Sequence, residues 1–406
     1  MRDQFLPFLP PLIGEEEIAE VAGTLRSDWI TTGPKTKHFE LEFAEYVQAP
    51  AALALNSGTA ALHVALAALG IGPGDAVMTS PLTFCSGVHV IEQVGARPVL
   101  VDIEEDTLNL NPEKVRDAVR ELKGARLAAI MPVHLYGHPC DCDALRDIAE
   151  ECGAAIIEDA AHALPAHYRG RPIGAGWAAK VPVLTAFSFY ATKNLTTAEG
   201  GMLTGPEEIL ENARIWSLHG MTRDARKRYD AGGSWFYEVV CPGFKYNMTD
   251  VQAALGLHQL RRLSGFRARR AQIAARYDEA FDSVAGLQIP ACRPAISHAW
   301  HIYALRVDPD RLGIARDAFI RQLAARRIGS SVHFIPVHLH PYYRDRYGYR
   351  PEDFPLAYRE YQRLVSLPIY PRMSDRDVSD VLDAVLEIAE RSSAGTLAAE
   401  AYAPMR

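Results

Sequence analysis

Nothing in this chain approaches the roughly 20 consecutive apolar residues needed to cross a bilayer. It also lacks the plan of a secretory leader, since Met1-Arg2-Asp3-Gln4-Phe5-Leu6-Pro7 places an acid and a proline where an apolar run would be needed. The expectation is a cytoplasmic protein with no membrane partner. Cysteine is sparse: six residues, scattered and without zinc-ribbon spacing, which suits a reducing compartment and gives no disulfide framework. Excess positive charge is missing too. The net charge of −7 argues against a nucleic-acid partner, which requires a clustered basic surface. A short basic run, Arg223-Asp224-Ala225-Arg226-Lys227-Arg228, reads as a solvated loop or an anion-binding edge. His134, His138, Cys140 and Cys142 lie close together, but a lone Cys-x-Cys beside a proline has no second ligand pair, so no metal is expected.

What the chain does have is length and alternation. At 406 residues it is too long for one small core, and two domains are expected. Val77 to Thr79, Pro98 to Asp102, Leu127 to Val133, Ala154 to Glu158 and Val183 to Ser188 read as strands. Ala60 to Leu69, Pro112 to Leu122 and Asp143 to Cys152 carry helical apolar spacing between them. Such alternation implies βαβ units, a largely parallel sheet, and ligands gathered beyond the carboxyl ends of its strands. From Val251 to Leu263, and again from Phe266 to Val284, the pattern is helical. Ile302 to Val307 then reads as a strand, Asp310 to Arg326 as a helix, Ser330 to Phe334 as a strand and Ser374 to Glu390 as a last helix. Residues 1–264 are therefore assigned to a large domain, with about the first 25 residues able to pack on the smaller one. Residues 265–392 form the smaller α/β domain, and 393–406 read as a poorly ordered tail.

Four features fall at strand ends of the large domain. Asn56-Ser57-Gly58-Thr59 opens directly into a helix, which makes it an anion site or an ordinary cap. Phe84, just past a strand, can stack on a planar ring or fill a core. Asp159, after the apolar Ala155-Ile156-Ile157, is costly to bury unless it meets a cation; a helix cap is the alternative, and for His162 a satisfied core histidine. Lys193 follows the run Ala186-Phe187-Ser188-Phe189-Tyr190, where a desolvated amine can form a Schiff base. Together these are the parts a pyridoxal phosphate site requires.

With these residues in place, the chain resembles the DegT/DnrJ/EryC1/StrS family of sugar aminotransferases from about Pro11 to Leu386. The likeness is carried by Trp29-Ile30-Thr31-Thr32-Gly33-Pro34, Ser57-Gly58-Thr59, Glu158-Asp159-Ala160-Ala161-His162 and Ser188-Phe189 with Lys193 and Glu199-Gly200-Gly201. Gly243 to Asp250, His298-Ala299-Trp300-His301 and Ser366-Leu367-Pro368 extend it. The resemblance implies an α/β, type I pyridoxal-phosphate aminotransferase fold: a large α/β/α domain with a mostly parallel sheet, plus a smaller C-terminal α/β domain. It makes Lys193 the Schiff-base lysine, Asp159 the pyridinium partner and Phe84 the stacking ring. Ser57, Gly58, Thr59 and Ser188 would hold the phosphate, and His162 would lie near the phenolic oxygen in an open protonation state. Asn247 would reach the neighbouring subunit's phosphate in a homodimer. Thr31, His333 and His338 would lie near the sugar nucleotide.

The likeness is greatest to the branch that aminates C4 of UDP-linked 4-keto sugars, including the enzyme of 4-amino-4-deoxy-L-arabinose synthesis, with L-glutamate as donor. C3 amination, another type I reaction and a non-enzymatic regulatory protein are the alternatives. A sugar dehydratase of the same family is a further one, but those enzymes carry histidine at the lysine position.

Overall fold

The structure is a computed structural model describing residues 2–222 and 236–393; the basic run from Arg223 and the tail from residue 394 lie outside these. The first strands are β1 (Ala51–Leu55), β2 (Asp75–Thr79), β3 (Arg97–Leu100), β4 (Arg126–Met131) and β5 (Ala155–Asp159). The short β6 (His167–Tyr168) and β7 (Arg171–Pro172) follow, then β8 (Val183–Ser188) and β9 (Gly201–Gly205). Seven of these form one sheet in the order β1-β9-β8-β5-β4-β2-β3. Neighbours from β8 to β3 are parallel, whereas β9 runs antiparallel to both β8 and β1. The mostly parallel α/β sheet read from the alternation is thus present, with one reversed strand.

The sequence reading placed no strand at β1 or β9. Both are short runs of small residues, Ala-Ala-Leu-Ala-Leu and Gly-Met-Leu-Thr-Gly, buried nearly throughout. A strand covered on both faces shows no period-2 alternation, and glycine is a poor strand former. The glycines are needed for space. A Cβ at Gly201 would stand 2.4 Å from the Ser57 carbonyl oxygen, so β9 can pass behind the Ser57 turn only without a side chain there.

The second unit is built on β10 (Leu287–Gln288), β11 (Ile296–Ser297), β12 (Tyr303–Val307) and β13 (Leu364–Leu367). β10-β12-β13 make an antiparallel sheet, and β11 joins β6 and β7 in a small ribbon. The expected pair of helices after Asp250 is one helix of 32 residues, Asp250–Phe281, started by a Thr249–Gln252 capping box. Gly265 does not break it, because its position is open and a helical glycine costs only about 1 kcal/mol. The expected border at residue 264 therefore falls inside a helix. Phe39 packs where a side chain at Gly256 would be, while Ile273, Tyr277 and Phe281 lie in the core with Tyr303. The N-terminal segment also touches this second unit, Leu6 exchanging backbone hydrogen bonds with Arg327 and Gly329.

Two expected elements differ. The helix read from Asp310 to Arg326 is two, Pro309–Leu312 and Arg316–Ala325, because Gly313 turns left-handed at φ 74° and caps the first. The strand read from Ser330 to Phe334 makes one bridge only, Ser331 to Ser366, before the chain turns away as a cavity wall. No helix among the described residues is long and apolar enough to cross a membrane.

Gly201→Ala is expected to cost about 1–3 kcal/mol, the usual range for overpacking against backbone. Urea unfolding of the full chain measures it. An unchanged midpoint would mean that β9 and the Ser57 turn are not in contact.

Candidate active site

Parallel strands that end on one level create a shallow basin there, and the loops following β2, β4, β5 and β8 wall it. The result is a cavity of about 480 Å³. Ser57, Gly58, Thr59, Phe84, Asp159, His162, Ser188, Lys193 and His333 all line it, as the sequence reading grouped them. Asn247, Thr31 and His338 do not line it within this chain. Asn247 donates from Nδ2 to Thr32 Oγ1 at 2.7 Å, and the Thr31 carbonyl accepts from the Asp250 amide at 3.0 Å, so the Thr31–Thr32 and Asn247–Asp250 segments are tied to each other. His338 is sealed in the second unit, with its ring 4.8 Å from that of Phe354 and neither ring nitrogen hydrogen-bonded.

The Ser57 turn serves both readings at once. Ser57 caps the helix Gly58–Ala68, its hydroxyl oxygen accepting from the Ala60 amide at 3.0 Å. The first amides of that helix keep no intrahelical partner and face the positive end of its dipole. Gly58 lets the turn approach β8, since a Cβ there would stand 2.8 Å from the Ser188 Cβ. Amides, Ser57, Thr59 and Ser188 thus form a cup whose chemistry suits a phosphate.

Asp159 closes β5, and its neighbour Glu158 points to the opposite face because side chains alternate along a strand. Glu158 is fully engaged: it accepts from Thr185 Oγ1 at 2.6 Å, from Trp177 Nε1 at 3.2 Å and from His134 Nε2 at 3.2 Å. Burial alone would raise its pKa, but these donors outweigh it and the net shift is downward. His134, Cys142 and Glu158 therefore meet, whereas the four sequence neighbours weighed for metal do not converge: His138 instead faces the Pro139 carbonyl and the Arg293 amide. His134 Nδ1 accepts the Cys140 amide, which leaves the Nε2 hydrogen for Glu158 and closes that network on itself.

Asp159 is the contrast. Burial raises its pKa, only partly offset by the Ala161 amide and the charge of Lys193. Burial likewise pulls Lys193 down from 10.5 to about 8, with Asp159 opposing. A buried carboxylate held by one amide and only partly offset by the charge of Lys193 is an open acceptor for a cation. Phe84 is 57 % exposed at the cavity wall, and its ring lies 5.8 Å from that of Phe334. Apolar surface left in water at a cavity wall is a face on which a flat ligand can lie.

Histidine dominates the remaining wall. Burial, then Lys193, keeps His162 and His301 neutral and lowers His333 to about 4. Tyr136 touches all three. Its amide donates to His162 Nδ1 at 3.2 Å, its carbonyl accepts the His301 amide at 3.0 Å, and its hydroxyl donates to the His333 carbonyl. It does so from a left-handed backbone, φ 60°, a costly conformation for an aromatic residue. The sequence reading gave Tyr136 and Phe334 no part and quoted His301 only within a string. Tyr136 carries no local signal, because its contacts come from segments far apart in the chain.

The profile of the DegT/DnrJ/EryC1/StrS aminotransferase family matches residues 11–386. The chain is 52% identical to the spore coat polysaccharide biosynthesis protein SpsC of Bacillus subtilis over 389 residues, 95% of this chain and 98% of that protein. Among solved structures, it is similar to Spr1654 of Streptococcus pneumoniae, a candidate sugar aminotransferase in its PMP form, with TM-score 0.87, 36% identity and coverage of 95% and 100%. It is similar also to DesV of S. venezuelae in complex with a ketimine intermediate, with TM-score 0.84, 34% identity and coverage of 95% and 100% of the two chains. The chain belongs to the DegT/DnrJ/EryC1/StrS aminotransferase family and is an aminotransferase.

Acylation of Lys193 in the unliganded protein should rise with pH about a midpoint near 8 rather than 10.5, because only the neutral amine reacts. Asp159→Asn removes the charge that retains the proton and should move the midpoint lower still. Peptide mass mapping across a pH series reads both, and a midpoint near that of free lysine would contradict the burial argument.

Proposed function

We propose that this chain uses pyridoxal 5′-phosphate to transfer an amino group from L-glutamate to the C4 keto carbon of a nucleotide-linked sugar, in the service of polysaccharide or related glycoside synthesis. One observation carries the reading: a lysine brought to about 8 shares a single cavity with a carboxylate that forms no ion pair among the described residues. The family membership, the PMP form of Spr1654 and the polysaccharide role in the description of SpsC support it.

The residues present fit that cofactor. The cup of Ser57, Gly58, Thr59 and Ser188 suits its phosphate, Asp159 a protonated ring nitrogen and Phe84 the ring face. When bound, pyridoxal phosphate supplies an electron sink for the negative charge left when the donor α-carbon loses its proton. Lys193 is suited to carry that proton. With its pKa near 8, a useful fraction is neutral at physiological pH, yet its conjugate acid still gives the proton back. Asp159 works by staying ionised beside a cation, which reverses the penalty of its burial. The neutral histidines of the wall add hydrogen bonds without adding charge.

Lysine at position 193 favours amino transfer over dehydration, since the dehydratases of the same family carry histidine there. Amination at C4 rather than C3, and UDP as the nucleotide, rest on the likeness of the Asp159-Ala160-Ala161-His162 and His298-Ala299-Trp300-His301 strings alone. Asn247, half-buried beside β1, would serve a second copy in a homodimer, as the resemblance implies. The large unit assigned to cofactor binding and the smaller C-terminal unit would then close the site between them.

The purified protein should absorb as a yellow Schiff base, lose that band when L-glutamate is added, and lose both properties in Lys193→Ala. An unbleached band with every amino donor tried would refute amino transfer. Asn247→Ala should weaken cofactor retention by about tenfold, as expected for a lost hydrogen bond to a charged group. Equilibrium dialysis against the cofactor measures it, and unchanged retention would remove Asn247 from the site.

A further inference from the structure

A second hollow lies at the opposite end of the large sheet. The Lys193 cavity stands beyond the carboxyl ends of β2 and β4, whereas this one stands before their amino ends. The two are separated by the length of a five-residue strand, roughly 17 Å at about 3.3 Å per residue. The hollow consists of two cavities, of about 370 and 420 Å³, that share Arg97, Lys123 and Tyr347. Each falls in the size range of ligand pockets, roughly 300–1,000 Å³. Their polarity differs.

The first cavity is built from donors. Arg97 and Lys123 are exposed, and neither side chain forms an ion pair or hydrogen bond with another of the described residues. The amides of Lys123, Gly124 and Ala125 likewise donate to none of them. Three successive free amides about a left-handed residue, φ 71° at Gly124, make a concavity that suits an anion. Arg346 adds a third cation, 3.4 Å from Glu92 and 5.8 Å over the Tyr347 ring. The acid on this side, Asp75, is already engaged by Arg126 at 2.9 Å and by the Gly72 amide at 3.1 Å. The charges of Arg97 and Lys123 are therefore left uncompensated.

The second cavity is apolar, with acceptors at its margin. Pro98, Leu100, Ala118 and Leu122 wall it. Tyr347 and Tyr349 stack there, their ring centroids 5.4 Å apart and their planes 24° from parallel. Tyr347 is fixed by its hydroxyl, which donates to Glu92 at 2.6 Å. Glu121 and the last carbonyls of the helix Pro112–Glu121 stand at the rim, at the negative end of the helix dipole. They disfavour an anion in this half and accept from N–H groups.

We propose that this hollow binds a nucleoside diphosphate, with its phosphates on Arg97, Lys123 and the Gly124 turn and its base against Tyr347 and Tyr349. A phosphate ion would use only the donor half, and an apolar ligand only the tyrosine half. A ligand that joins an anion to a flat ring bearing N–H donors suits both. A free nucleotide and the nucleotide part of a nucleotide-linked sugar offer that same chemistry. The site lies a sheet's height from Lys193 and Asp159, so it stands independently of amino transfer.

Photolabelling of the full-length protein with 5-azido-UDP and 8-azido-ADP, read by peptide mass mapping, tests the site. At least one probe should label the peptides that carry Leu122–Lys123 or Tyr347–Tyr349, and the matching plain diphosphate should suppress the label. In the double variant Arg97→Gln/Lys123→Gln this labelling should fall about tenfold, as expected when hydrogen bonds to a charged group are lost. Its urea midpoint should stay, because neither side chain has a partner to lose. Labelling by neither probe, labelling confined to peptides of the Lys193 cavity, or full labelling of the double variant would overturn the proposal. Suppression by pyrophosphate as complete as by the diphosphate would overturn it too, since the base would then contribute nothing. UDP-glucose separates the two sources. Competition equal to that of UDP assigns the site to sugar-linked nucleotides, and weaker competition to free ones. Bleaching of the Schiff-base band by L-glutamate should be the same in the double variant, so amino transfer and this site are read separately.

Discussion

Desolvation of one amine and one carboxylate at the ends of neighbouring strands is the constraint around which the molecule is arranged. Lys193 and Asp159 each lose hydration on folding, and each partly offsets the other's loss. Such a pair is poor in stabilising the fold, because removing charges from water generally costs as much as their attraction returns. What it provides is reactivity: an amine near neutrality and a carboxylate in want of a cation. The β-sheet must supply the stability that the site gives up. It does so with strands buried on both faces and with helices packed closely on them.

Close approach is the second demand. The Ser57 turn, β8 and β9 meet at backbone distance, which only Gly58 and Gly201 permit. Behind the site, Glu158 ties β4, β5 and β8 together through His134, Thr185 and Trp177. Adjacent carboxylates on one strand therefore have opposite fates. Glu158 is satisfied by fixed donors and is held down in pKa, whereas Asp159 faces the cavity and is pushed up. Strand alternation makes that division, and it separates a structural network from a reactive group by a single residue.

Much of the site was legible in the sequence because each part follows a strand, and strand ends on one side of a parallel sheet converge. Phe84, Asp159, Ser188 and Lys193 were found on that ground, and Ser57 as the turn that opens a helix. The strands β1 and β9 were not, since small residues buried on both faces have no periodicity to read. The helix Asp250–Phe281 was divided in two at a glycine that its surroundings tolerate. Tyr136 stayed hidden for a different reason. Its part consists of backbone and hydroxyl contacts to segments that begin far along the chain, and no local pattern announces them.

The sequence by itself determined the alternation, the sheet, the residue types at the strand ends and, by lysine at 193, the kind of chemistry. Those are properties of short windows, in which period and composition are physically sufficient. Tertiary structure alone decided the protonation states. Lys193 falls to about 8 because of burial that many segments produce together. His162 and His301 are neutral for the same reason. The charge and polarity of a side chain depend on what surrounds it, and those surroundings exist only once the chain has folded.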